Sequence, residues 1–461
     1  MKRSTKHQFK KVQFAPLNGG VNVSQVPEQI AENEMQLCEN FWYEQDTQRL
    51  VGRGGLQLIK ALGKGVKSMF YDIETNTTLI FTEDRDCYKA VVGGTSLQLT
   101  YLDKVSGNKI PQCVKFKNQL FIASGSMLQF YDFAEGSVLQ SITTAPHCDK
   151  VFYRFGRLAV AMTGSDRITY SSVGDATSDV AWIDNTNDDS SSKWLDVGYD
   201  DGGDIVEIVP LATDMIIFKS NGKAYQLVGD AEYTTWAVYN VANFTDMTND
   251  FAYGISATNL GQEVAFLSLR GLKTLSATQD YGNSSAMDIG SKFNKLLTTN
   301  LYEPEFYHLR RHKVLIIRPT SDHTYFVVYN YGINAATVFR FAFNIDCVLE
   351  TKDDILVGAN NSIYRLTIEA TQDDNQPITY TFSPRSIEGS DKVLVKSIDT
   401  HFVSDHAGEA TLTIGDRLNV KVPTSFRHKL RCNHSEETAQ LTITSNSRFG
   451  VGSVVLDIAD L

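Results

Sequence analysis

The sequence predicts an all-β fold: a β-propeller of six to eight blades, seven favoured, with an irregular N-terminal segment and a small C-terminal β-module. Three observations predict it. A strand–turn–strand unit recurs seven times through the middle of the chain, aromatic residues are plentiful while proline is scarce, and the chain is long. At 461 residues it exceeds the roughly 250–300 residues that one hydrophobic core usually serves.

The repeat carries most of the weight. It reads TTLIFTEDRDCYKAV, NQLFIASGSMLQFYD, GRLAVAMTGSDRITYS, TDMIIFKSNGKAYQLV, QEVAFLSLRGLKTLS, HKVLIIRPTSDHTYFVVYN and DDILVGANNSIYRLT. The first apolar anchors are Leu79, Leu120, Leu158, Met215, Val264, Val314 and Ile355, separated by 41, 38, 57, 49, 50 and 41 residues. That spacing brackets the ~40–50 residues of a four-stranded blade. Turn chemistry marks the middle of most copies: Ser124-Gly125, Gly164-Ser165, Asn221-Gly222, Arg270-Gly271 and Asn360-Asn361. Gly and Asn tolerate the positive φ that tight hairpins demand. A lone hairpin cannot hide its apolar face, so seven in series must pack on one another, and a ring does this while leaving only short sheet edges. A chain of β-sandwiches is the competing fold, because it also uses short strands with frequent turns.

Composition agrees with strands. There are 20 Tyr and 25 Phe against 10 Pro, and 42% of residues are hydrophobic, which excludes a mostly disordered chain. The flanks differ from the repeat. Residues 1–62 hold no blade hairpin and are expected to form an arm with a short helix, because Ile30, Met35, Leu37 and Phe41 in EQIAENEMQLCENFW have helical spacing. Residues 63–385 are expected to be the propeller. Residues 386–461 hold alternating runs such as EATLTIG and SVVLDIAD and are expected to be an antiparallel β-module.

Charge and motifs exclude several functions. The net charge of −11 offers no general attraction for nucleic acid, which needs clustered Lys and Arg. Neither a secretory h-region nor a stretch of ~20 apolar residues occurs, so synthesis in the cytoplasm without direct membrane insertion is expected. Six scattered cysteines lack metal-ligand spacing and read as reduced core thiols. No GxSxG, HExxH, Walker or Rossmann sequence is present, so no residue is given a catalytic role, and no cofactor or metal is expected.

Four features were weighed as sites. His308 and His312 stand four apart, but at a strand, with Arg310 and Arg311 between them to repel a cation. Nine aspartates between residues 172 and 205 face only Lys193; DNTNDDSSSKWL has EF-hand length, yet Asp189 replaces the required Gly and Leu195 the bidentate Glu. That segment therefore reads as a solvated loop, with an irregular divalent-ion site as the alternative. The four tryptophans read as packing anchors ahead of a sugar groove. The basic arm, Lys2, Arg3, Lys6, Lys10 and Lys11, is the one candidate contact for DNA or for an acidic partner surface; a solvated terminus is the plainer reading.

Two stretches carry a family likeness. FAPLNGGVNVSQVPEQIAENEMQLCENFWYEQDTQRLVGRGG has a Leu/Gly-Gly-Asn segment from Leu17 to Asn22, an acidic stretch reaching Glu39 to Trp42, and Arg53-Gly54. RITYSSVGDATSDVAW, WLDVGYDDGGDIVEIVPLATDMIIFKSNGKAYQLVGD and GQEVAFLSLRGLKTLS follow in the middle. Together they resemble the tail nozzle, or tail-stabilisation (tail hub), proteins of short-tailed bacteriophages. Gly54-Gly55 replaces the usual Pro-Gly after the arginine. The resemblance implies a non-enzymatic structural protein of the virion tail, assembled in the host bacterial cytoplasm. It implies a hexameric ring below portal and head-to-tail adaptor, bearing tail fibre or plug proteins. DNA would pass through during genome ejection without sequence-specific binding. A receptor- or glycan-binding β-propeller, adhesin or tail-fibre-like, is the alternative.

Overall fold

Each of the seven apolar anchors lies in the second strand of a four-stranded antiparallel blade. The computed structural model describes residues 8–93, 96–133, 138–241, 252–276, 286–404, 407–415 and 418–460. Blades one to six span 66–104, 112–142, 148–196, 205–240, 252–288 and 305–340, each strand pairing with the next in sequence. Blade seven takes three strands from 345–367, and its fourth is Gly55–Ala61, brought from the other side of the propeller sequence. That pairing closes the ring: the strand just before blade one is bonded into blade seven. The propeller therefore has seven blades.

The second strands are apolar on both faces because both faces are buried. In Thr77–Thr82, Leu79 and Phe81 pack towards blade two, while Ile80 packs towards blade seven. Seven hydrophobic clusters lie between successive blades all the way round, the last joining Ile59, Val66 and Ile80 to Leu356 and Ile363. No blade has a private core, which is why the hairpins are stable only as a set. The turns hold the expected backbone: Gly125, Gly164, Gly222, Gly271, Asn360 and Asn361 all have positive φ.

The N-terminal region departs from expectation. The helix read over residues 28–42 is absent; Met35–Glu39 and Phe41–Tyr43 are strands. Its apolar spacing suits a helix locally, but Ala335–Arg340 and Tyr380–Pro384 each offer an open edge, and Met35–Glu39 fills the gap, parallel to the first and antiparallel to the second. Tertiary pairing has overridden local periodicity. Residues 1–62 are consequently not a separate arm: 55–61 belong to blade seven, and the strands before them belong to the module.

The module is a two-layer sandwich around a core that includes Phe14, Phe41, Tyr380, Phe382, Phe402 and Phe449. One layer pairs Lys10–Phe14, Phe41–Tyr43 and Leu50–Gly52 with Gly450–Asp460, Ile387–Val403 and Arg427–Ala439. The other layer is continuous with blade six. A single nine-stranded sheet runs from Glu305–Leu309 through Ala335–Arg340 and Met35–Glu39 out to Leu418–Pro423.

Candidate functional site

Three places on this scaffold bear on function: the propeller axis, the joint to the module, and the outward face of the module. The first strands of the blades stand side by side around the axis. In four of them an extra residue interrupts the ladder near the start: Lys67, Asp149, Val206 and Asp346. Such bulges re-aim side chains and sharpen the twist. Side chains meet across this end of the axis. Gln112 of blade two donates to both carboxylate oxygens of Glu207 of blade four, at 3.0 and 2.9 Å, and Lys150 of blade three lies 3.4 Å from the same carboxylate. Opposite them Arg318 pairs with Glu305 at 2.6 Å, and the Tyr307 hydroxyl donates to Glu305 and to the Asp346 carbonyl. Burial pushes the Asp346 carboxyl up to about 6, helped by the charges of Glu83 and Glu305 and opposed by Arg318.

Further along, blades one, six and seven enclose a cavity of about 540 Å³ whose wall includes Phe70, Tyr71, Tyr307, His308 and Leu349. That volume falls within the ~300–1,000 Å³ of small-ligand sites.

The other sequence candidates resolve into structural roles. His308 and His312 do not share a site. His308 lies 3.1 Å from the Tyr331 hydroxyl, and burial with the nearby Arg310 charge lowers its pKa to about 4. His312 binds Glu350 at 2.6 Å and stacks on Trp42. The acidic segment is folded on itself. Asp175 accepts from Thr177 and Ser178, and Asp188 accepts from Ser190. The Lys193 ammonium reaches Asp184, the Asn185 carbonyl and Ser191. Asp201 is gripped by Lys219 and by the Tyr225 hydroxyl. Among the described residues no three carboxylate, His or Cys side chains group as metal ligands. Trp182 is a buried anchor donating to the Ala176 carbonyl, Trp236 packs against Tyr170, and Trp194 lies beneath Arg167.

Of the basic arm, Lys2, Arg3 and Lys6 lie outside the described residues. Lys10 and Lys11 begin the strand Lys10–Phe14, exposed, with Lys11 opposite Asp457. They are not alone there. The strand Arg427–Ala439, separated from it by two strands of the same sheet, exposes Arg427, Lys429 and Arg431 at alternate positions. Composition hides these cations, but their period-two spacing in RHKLR was readable as one face of a strand.

The joint uses residues that sequence reading quoted only as motif letters. Arg53, fully buried, forms a bidentate pair with Asp373, donates to the Asn40 side chain and to the Gly54 and Arg340 carbonyls, and lies 4.3 Å from the Phe341 ring centre. Asn40, at φ 62°, also accepts from the Arg340 amide and donates to the Thr379 carbonyl. Gly54 and Gly55 lie against backbone of blade seven; an added Cβ would sit 2.2 Å from the Thr367 and Gln372 carbonyl oxygens, respectively. Gly20, at φ 75°, lies against Ala336 of blade six, and the Val21 amide donates to the Ala336 carbonyl. Leu17–Asn22, Glu39–Trp42 and Arg53-Gly54 thus converge on one seam.

Fold and surfaces together define a seven-bladed β-propeller protein with a fused β-sandwich module. Solved structures of the same fold include the WD40 domain of Pan2 from Neurospora crassa, 10% identical, covering 66% of this chain and 89% of that one with a TM-score of 0.44. They also include the extracellular domain of a hybrid two-component system from B. thetaiotaomicron, 10% identical, covering 86% and 58% with a TM-score of 0.49. The WD40 propeller of Doa1, also 10% identical, covers 68% and 96% with a TM-score of 0.45. No family model and no curated protein matches the chain.

Proposed function

We propose that this chain is a non-enzymatic, ring-forming subunit of a short-tailed phage tail nozzle, with the DNA conduit running between copies and not through any one propeller. The observation that carries the reading is the seam. The N-terminal segments on which the family resemblance rests all serve to weld the module to blades six and seven, giving a two-body subunit without a linker. A ring wall needs such a unit, because a heterologous contact closes only if each copy repeats the same angle. The axis, crossed by Gln112, Lys150 and Glu207, leaves the space between subunits as the conduit. A net charge of −11 suits a wall that DNA must slide past, since every neutralised phosphate would add binding and drag. Head-to-tail adaptor and fibre or plug proteins are the partners this reading assigns.

The test is electron microscopy and mass measurement of the purified chain, alone and mixed with portal and adaptor. Sixfold rings of 51.4-kDa subunits are expected. A chain that stays monomeric in both conditions overturns the reading. The axial cavity favours a second reading, a receptor- or glycan-binding propeller. Specific glycan-array binding abolished by filling that cavity would establish it, and release of reducing sugar would refute the non-enzymatic assignment.

A further inference from the structure

The outward face of the module sheet is positive on a negative chain. Cross-strand rows place Lys11, Asp457, Ser397 and Arg431 side by side, then Gln13, Val455, Asp399 and Lys429, then Ser453, His401 and Arg427. Lys396, at a bulge between these rows, covers the Phe9 ring at 4.2 Å. Across these rows five cations stand against two carboxylates, and one of these, Asp399, is already held by Arg427 at 2.6 Å; Glu437, exposed at the same alternate spacing further along the strand, adds a third carboxylate beyond the rows. The strand Arg427–Ala439 is the sheet's border; among the described residues nothing pairs with its free edge, and Phe426 at its start is 67% exposed. Isolated cations on an edge strand guard against aggregation. A whole positive face flanked by exposed Phe9 and Phe426 goes beyond that need.

The complementary surface is on the same chain. The blade-three loop 171–192 exposes Val173, Val180 and Ile183, the latter two 69% and 57% accessible, among the exposed carboxylates of Asp179, Asp184, Asp188 and Asp189. Its cations are spent internally: Arg157 donates to the Ser171 and Ser191 carbonyls, and Lys193 to Asp184 and Asn185. The loop is thus preformed and loses little freedom on docking. The module hangs from blade six, and blade three is three blades away around the ring. The two surfaces therefore belong to different parts of the subunit and are not the same patch. Complementary surfaces so placed join head to tail, and that is the geometry of a ring.

We infer that the module's basic sheet face receives the blade-three loop of a second copy of this chain, and that this is the contact between neighbours in the ring. The inference rests on the ring-forming reading above and names its interface. Wild type, R427E/K429E/R431E and D179K/D188K/D189K full-length chains are each mixed with portal and adaptor, and ring assembly is read by sedimentation and microscopy. Each variant is expected to need at least tenfold more protein to assemble, and the two mixed together are expected to regain rings in which the swapped surfaces face each other. Wild-type assembly is expected to weaken with salt. Unaltered assembly of either variant, or no recovery on mixing, overturns the interface while leaving the ring intact as a reading. Failure of wild type to form rings at all overturns both. The two variants alter different bodies, so misfolding of one, seen in its thermal midpoint, leaves the other as the deciding case.

Discussion

Arg53 and Asp373, 320 residues apart, face each other with two guanidinium nitrogens 2.8 and 2.5 Å from two carboxylate oxygens, both side chains sealed from water. The pair sits where the N-terminal strands, blade six and blade seven meet. Removing one partner leaves the other charged and dry, which costs about 3–5 kcal/mol. R53A and D373A should each lower the unfolding free energy from urea denaturation by that much. R53M/D373L should lose far less than the sum of the two single changes. A double change that loses the full sum of the two single losses would show that no coupling exists.

Ring closure depends on the absence of two methyl groups. G54A and G55A each put a Cβ 2.2 Å from a backbone carbonyl oxygen of blade seven, which must then move away from the closing strand. Overpacking of this kind costs about 1–3 kcal/mol. Chemical denaturation should show that loss, with Gly93→Ala, where an added Cβ meets only the Ser96 carbonyl oxygen at 4.0 Å, as the control. A side chain at position 54 has no room beside the Thr367 carbonyl.

Asp201 should impose an acid limit on stability. Hydrogen bonds from Lys219 and Tyr225 overcome its burial and hold its carboxyl at about 2, below the unfolded value near 3.8. A depressed carboxyl stabilises the fold above its unfolded pKa and loses that contribution as pH falls through its folded one. The shift corresponds to about 2 kcal/mol. Thermal or urea unfolding of D201N should fall short of wild type by roughly that much at pH 6, and the difference should vanish by about pH 2.

Asp346 has the opposite sign. Its carboxyl is raised to about 6, so its charged form costs stability at neutral pH and the cost is relieved as pH drops below 6. D346N should therefore stabilise the protein at pH 7.5, by about 1–2 kcal/mol after allowance for partial exposure, and make no difference below about pH 4. A destabilised D346N at neutral pH would mean that the carboxylate is needed at the channel mouth in its charged form.

How much of this was legible depends on the range of the contacts. Leu79, Leu120 and their five counterparts each announce a blade because a hairpin is a local event, written within about 15 residues. The closing strand 55–61 is invisible by the same logic: its partner, Ser362–Thr367, lies some 300 residues away, and no local feature points to it. Ile30, Met35, Leu37 and Phe41 have helical spacing, yet Met35, Leu37 and Phe41 lie in strands, Leu37 only partly buried, because neighbouring sheet edges decide the pairing. Arg53 is legible only as a motif letter, because a buried cation is explained by its partner, and nothing singles out Asp373 beside Asp374 in a polar stretch. The cations at 427, 429 and 431 were the readable signal that composition concealed.

The nine-stranded sheet that begins in blade six and ends in the module also governs how load travels. At the joint the strands meet at one pair, Glu39 opposite Val338, so a pull on the module falls on that contact, on the Asn40 amide at the Val338 carbonyl and on buried Arg53 at the Arg340 carbonyl, with no tether to stretch first. The subunit has no elbow at that point, so any dilation of an assembly that contains it must take place where one copy slides on the next.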